Sequence, residues 1–227
     1  MRLQVTDIMK RVATTVNQEA TAPTTGSAEY ELWLEYINRG VMEWSEANDW
    51  ESMRKIFFPE VTGVSVATVL LPLDFKKLAA APRLYVDDRV GGYEFPEIIE
   101  EQGGLQSHNS LYITQTGNYS SGIALIFNPA TLASGASLAI PYYSMPTSIS
   151  SPTEVPIVDD AQFLVDRTIA YILEARSDAR FQIQENRARE RLLMMIENAN
   201  LAKYSSYAGP NPVIGTERRA GFRIGRD

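Results

Sequence analysis

The chain has no cysteine and one histidine, and those two shortages remove most common catalytic chemistries. Without a thiol there is no cysteine nucleophile, no disulfide and no thiolate metal site, a usage that fits a reducing compartment. A lone imidazole, His108, cannot build a multi-histidine metal centre, and no Asp or Glu near it has metal-ligand spacing. Long hydrophobic runs are missing too. Residues 64–73 form the most apolar stretch, about half of what a membrane span needs, and Ser65, Thr68 and Pro72 interrupt it. The first residues lack the apolar segment of a secretory signal, so the Asn118-Tyr119-Ser120 sequon is expected to be idle. No P-loop or dinucleotide fingerprint occurs.

The remaining chemical signals have plainer readings. Gly135-Ala136-Ser137-Leu138-Ala139 has a small-Ser-small outline, but Ser137 begins a predicted strand, whereas a nucleophile elbow joins a strand to a helix. Asp87-Asp88 precedes a Gly-Gly turn and Asp159-Asp160 precedes a helix, so turn-making and capping explain both pairs. Glu97, Glu100 and Glu101 read as a solvated cluster. Catalytic residues, cofactors and metals are therefore not expected, and the chain is not expected to be an enzyme.

What is present is a reversal of charge. Residues 203–227 hold Lys203, Arg218, Arg219, Arg223 and Arg226 against Glu217 and Asp227, a net of +3; the chain totals −7, which leaves −10 on residues 1–202. An acidic body should repel nucleic acid, because sequence-independent affinity comes from neutralising phosphates. The basic segment is rich in breakers from Gly209 to Gly225 and has no apolar run long enough to bury a face. It is expected to lack stable structure by itself. Yet Tyr204, Tyr207, Val213, Ile214, Phe222 and Ile224 are spaced among its cations. Such a segment reads as an extended arm that orders on a partner, or as a frayed terminus.

At 227 residues, 44% hydrophobic and 22% charged, the rest has the make-up of a soluble globular protein with a real core. Thr6 is a predicted N-cap for a short helix with Ile8, Met9 and Val12 on one side. Ser27 caps a second, where Tyr30, Trp33, Leu34, Ile37, Val41 and Trp44 fall at offsets 0, 3, 4, 7, 11 and 14, one continuous stripe. This aromatic stripe reads as core, and Gly40 within it implies close packing. From residue 51 to 158 the period changes to short strands at 54–58, 61–71, 83–86, 111–116, 123–127 and 137–143, with a helical turn at 74–78. Strands so spaced predict a small antiparallel sandwich or barrel-like domain. The polar stretch 90–110 offers contact loops. After an extended connector at 146–156, Asp159 or Asp160 caps a helix with Val165, Ile169, Ile172 and Leu173 on one face. Ser177-Asp178 then caps another in which Phe181, Ala188, Leu192, Met195 and Ala199 align, giving an antiparallel hairpin. Its many charges, with a favourable Glu185–Arg189 pair and mild repulsion between Arg187 and Arg191, read as a solvated face. The fold class is α+β: helical residues 1–50 and 159–202 around an inserted β-rich unit at 51–158, with an arm at 203–227.

Four segments resemble the head-to-tail adaptor proteins of tailed bacteriophages, the connector or tail tubular protein A-like family. They are Glu31-Leu32-Trp33-Leu34-Glu35-Tyr36-Ile37-Asn38-Arg39 with Trp50 beyond it, and Leu71-Pro72-Leu73-Asp74-Phe75-Lys76-Lys77-Leu78. The others are Pro141-Tyr142-Tyr143-Ser144-Met145-Pro146 followed by Thr153-Glu154-Val155-Pro156, and the helix from Asp160 into the Arg-rich helix ending Leu192-Leu193-Met194-Met195-Ile196. Their order and spacing carry the likeness; none is a catalytic signature. The resemblance implies a helical bundle with an inserted β-domain, and a ring of about twelve copies around the DNA exit channel. It implies a virion location in the neck, between capsid and tail, after synthesis in the host bacterial cytoplasm. Implied partners are other copies of the chain, the portal protein, a downstream tail or nozzle protein and genomic DNA passing without specific binding. The portal-binding residues would be Tyr204, Tyr207, Arg218, Arg219, Phe222, Arg223 and Arg226. Two alternatives stay open: another neck component, such as a stopper or tail terminator, and a DNA-binding module that uses the Arg-rich arm.

Overall fold

A computed structural model describes residues 2–59, 68–85, 93–94, 97–98, 112–118, 122–128 and 137–207. Helix α1 (Val5–Val16) buries Val5, Ile8, Met9, Val12, Ala13 and Val16, a stripe at helical spacing. Thr6, expected as its cap, lies inside the helix instead, and Gln4 occupies the cap position with no side-chain bond. The connector does the capping. Val5 N–H donates to the Glu154 carbonyl at 3.0 Å, and Thr6 donates its N–H and hydroxyl to the Pro152 carbonyl at 3.0 and 2.8 Å. A distant backbone thus satisfies donors that every helix start leaves open, which overrides the local preference for a Thr cap.

Helix α2 (Ala28–Ala47) matches its expected stripe: Tyr30, Trp33, Leu34, Ile37, Val41 and Trp44 are all buried. Ser27 caps it by accepting from the Tyr30 N–H at 3.2 Å. Beyond its end Trp50 stacks on Trp44, ring centres 4.7 Å apart, and donates its indole N–H to the Trp44 carbonyl at 2.6 Å. Asn38 clamps the connector by donating to the Ile149 carbonyl at 3.0 Å and accepting its N–H at 2.8 Å.

Helix α3 (Ala161–Ala175) is the centre of the helical part, since α1, α2 and α4 (Phe181–Tyr207) all pack on it. Its expected face of Val165, Ile169, Ile172 and Leu173 is buried, but so are Phe163, Leu164, Thr168, Ala170 and Tyr171. A helix covered on so many sides carries no simple stripe, which is why one face under-described it. Asp160 caps it, accepting from the Gln162 N–H at 3.0 Å.

Between the helices lie nine strands: β1 (Arg54–Phe57), β2 (Thr68–Leu70), β3 (Phe75–Leu78), β4 (Arg83–Tyr85), β5 (Tyr93–Glu94), β6 (Glu97–Ile98), β7 (Tyr112–Asn118), β8 (Gly122–Asn128) and β9 (Ser137–Ser144) among the described residues. One sheet has the order β1-β9-β4-β5, with β3 also on β9; the other runs β2-β8-β7-β6. All pairings are antiparallel except β6 with β7. Val69, Ile123 and Leu125 of the second sheet share a core with Phe75, Leu138, Ile140 and Tyr142 of the first. The helical turn expected at 74–78 is not formed. Residues 73–74 make a tight turn, and Phe75, Lys77 and Leu78 pair with Ser144, Tyr143 and Tyr142 of β9. So short a segment carries no periodicity of its own, and pairing to β9 decides its state. The mixed helix-and-strand class agrees with the sequence reading.

Gly40 shows why α2 tolerates a glycine. A Cβ there would lie 3.3 Å from Leu164 Cδ2 and 3.6 Å from Arg167 Cγ of α3. The two γ-methyls of Gly40→Val have no room and should cost about 1–3 kcal/mol, read as a lower urea midpoint. An unchanged midpoint would contradict this close approach.

Candidate functional site

The most distinctive chemistry among the described residues is a pair of polar locks fastening α4 to α3. Asp166 lies mid-helix in α3 with its side chain only 9% exposed. It accepts from Gln162 Nε2 at 3.0 Å, Gln184 Nε2 at 3.1 Å and Arg191 Nε at 3.0 Å. Arg191 also donates to Asp160 Oδ2 at 3.1 Å, so its fork is shared by two carboxylates. One residue along α3, Arg167 pairs with Glu43 of α2 at 2.5 Å and with Glu185 of α4. The Tyr171 hydroxyl donates to the same Glu43 oxygen at 2.9 Å, and its ring is flanked by the guanidiniums of Arg39 and Arg167 at 4.5 and 4.6 Å. Both cation–π contacts add to the pair.

These environments shift the groups in opposed ways. Burial alone would lower Arg167, but Glu43, Tyr171 and Glu185 more than offset it and hold the guanidinium above its ordinary value. Burial pushes Tyr171 up, and its bond to Glu43 adds to that rise. Arg191 is likewise held up, burial being outweighed by Asp160 and Asp166. At neutral pH both guanidiniums are charged and the Tyr171 phenol is neutral.

The solvated-face reading of α4 therefore needs correcting for two residues. Glu185 and Arg191 turn inward as halves of the locks, while Arg187, Arg189 and Glu190 are exposed as expected. The Glu185–Arg189 pair is present at 3.7 Å. The expected repulsion between Arg187 and Arg191 is moot, because Arg191 is neutralised twice. A signal is present in the sequence: Asp166-Arg167 lies between Phe163-Leu164-Val165 and Ile169-Ala170, and a charge pair among apolar neighbours needs partners.

The bonds pair the helices in reverse order, residues 160, 166 and 167 with 191, 184 and 185, so α4 passes the start of α3 near Arg191 and continues to Tyr207. That leaves about 24 Å of helix at 1.5 Å per residue beyond the last lock. Leu192, Met195, Ile196 and Ala199 on this length still pack on the helical core. Beside it runs a groove of about 1030 Å³ between Met194, Met195, Asn198 and Ala199 of α4 and Trp50, Glu51, Ala79 and Tyr143 opposite. Ser52, Arg54, Asp159, Asp160 and Arg191 also line the groove.

The expected boundary between helix and arm at residue 202 falls inside α4, which runs on to Tyr207. The sequence carried that signal too, since the first breaker is Gly209-Pro210. Tyr204 and Tyr207 thus sit on the backbone of α4, whereas Arg218, Arg219, Phe222, Arg223 and Arg226 lie outside the described residues. So do His108, Asp87, Asp88, Glu100 and Glu101; Glu97 is in β6, and Ser137 opens β9 as expected. Asp160 caps α3, and Asp159 pairs with Arg2 at 2.9 Å. Among the described residues no three His, Cys, Asp or Glu side chains are grouped to hold a metal, and no helix is long and apolar enough to cross a membrane.

A smaller cluster ties β1, β3 and β9 together. Asp74 accepts from Lys55 Nζ at 2.6 Å and from the Tyr142 hydroxyl at 3.1 Å. Burial and then that bond to Asp74 push Tyr142 up to about 12. Burial would raise Asp74, but the bonds from Lys55 and Tyr142 outweigh it and leave the carboxyl below 3.8. An unfolded tyrosine ionises near pH 10, so between about 10 and 12 the unfolded chain releases a proton that the fold retains, and stability falls as pH rises. The Asp74 contribution has the opposite sense, present above the ordinary carboxylate value and lost as pH falls below it. Tyr142→Phe should therefore flatten the loss of urea midpoint between about pH 10 and 12; an alkaline slope equal to wild type would show that Tyr142 does not carry it. No family model matches this chain, and no curated protein matches it.

Proposed function

We propose that the chain is a non-enzymatic structural virion protein: a head-to-tail adaptor that forms a ring under the portal, docks by its C-terminal segment and joins capsid to tail around the DNA channel. The observation that carries this reading is the continuation of α4 past its last lock. The helix packs on the core as far as Ala199 and runs about 12 Å further, to Tyr207, as a short stiff lever. It leads directly into residues 208–227, which hold four arginines and one aromatic, Phe222. Arginine forks pair with carboxylates in a protein groove, and tyrosine and phenylalanine anchor there with little entropy to lose.

Two further features support the reading. The −10 charge of residues 1–202 suits a channel that DNA crosses without adhering. The four segments resembling head-to-tail adaptors span both the helical part and β3 and β9. In this role the C-terminal segment gains order on the portal, and repetition around a ring makes a modest single contact durable.

Deleting residues 208–227 leaves α4 whole and separates the segment from the fold. The shortened chain should keep its thermal midpoint and lose capture by the portal in a pull-down. Full capture by the shortened chain would remove the segment as anchor. Retention of DNA binding by a peptide of residues 203–227, falling steeply with salt, would favour the nucleic-acid reading instead.

A further inference from the structure

The side of α4 away from its buried stripe carries a pattern that the adaptor reading leaves unused. Ile183, Arg187, Glu190, Met194, Glu197 and Leu201 are all exposed and follow one another at intervals of four, three, four, three and four. That is the 3.5-residue spacing of a helix–helix seam. Its apolar members are large and open to water: Ile183 is 60% exposed, Met194 54% and Leu201 66%.

The row is self-complementary when reversed. Laid antiparallel against its own copy about a two-fold axis level with Leu192, Ile183 meets Leu201, Arg187 meets Glu197, and Glu190 meets Met194. Each of these three layers occurs twice. On the outer flank Leu193, 53% exposed, lies at the axis against its counterpart, with Asn186 facing Asn200. A parallel pairing in register would stack Arg187 on Arg187 and each glutamate on itself, which like charges forbid. The charge order thus selects both the occupant and its direction.

We propose that this face of α4 docks a second copy of the chain as a two-fold, antiparallel helix pair. The seam is about 27 Å long at 1.5 Å per residue and half polar, so the contact belongs to the small, weak, salt-sensitive class. A two-fold contact closes on itself and cannot propagate into a ring. The pair is therefore a form of the free chain, separate from the ring proposed above, and its test does not involve the portal.

Sedimentation equilibrium of the full chain at about 100 µM, enough to populate a micromolar pair, should give twice the chain mass of 25.3 kDa. Arg187→Glu and Glu197→Arg each place like charges opposite one another and should return the mass to a single chain. The two together should restore the doubled mass. Leu193→Glu, which sets two carboxylates at the axis, should also dissociate the pair, and circular dichroism verifies that each variant stays folded. A wild-type chain of single mass, a ring-sized species indifferent to these changes, or a double variant that stays single would each overturn the proposal.

Discussion

Two neighbouring charges in the middle of α3, Asp166 and Arg167, fix where the longest helix of the molecule lies. Burying an ion is costly unless partners replace its water, and removing one partner from a buried group leaves the others stranded. Asp166 has three donors, from α3 and α4, and Arg167 has carboxylates on α2 and α4. These bonds matter because the first half of α4 offers little apolar surface: Gln184 and Ala188 are its fully buried side chains. Packing alone would hold that half loosely and tolerate rotation, whereas bonds to fixed acceptors admit one rotation. The locks thus select which side of α4 is covered and which remains open.

The same logic joins the helical part to the sheets, with polar bonds bridging two separate apolar cores. Lys76 reaches the Ser45 carbonyl at the end of α2, Lys77 pairs with Asp49 at 2.8 Å, and Ser144 donates to the Met53 carbonyl at 3.2 Å. All three lie near Trp50, whose stacking on Trp44 anchors the exit from α2. The groove beside α4 opens at this junction, with Arg54 of β1 and Tyr143 of β9 facing Met195 and Ala199 of α4.

Much of this was legible from residues alone, because it rests on local spacing. The α2 stripe, the Ser27 and Asp160 caps, the close approach at Gly40 and most strand positions follow from periodicity and cap chemistry. What escaped depends on distant partners. Thr6 is a good cap locally, yet the connector carbonyls at 152 and 154 cap the helix from far along the chain. Residues 75–78 became a strand because β9 has a free side to pair. Glu185 and Arg191 look like solvated charges until Arg167 and Asp166 are placed beside them. The helix end is legible in Gly209-Pro210, the first breakers, rather than in the charge change at Lys203.

The dependence of α4 on the locks is tested most directly by amide hydrogen exchange on Asp166→Ala. The substitution strands Gln184, which is 7% exposed, and frees Arg191 from one of its two carboxylates. Protection should fall throughout α4 while α1 and α2 keep theirs, the signature of one element detaching without global unfolding. Protection in α4 equal to that of the parent chain would mean that apolar packing places the helix by itself and that the buried carboxylate is incidental.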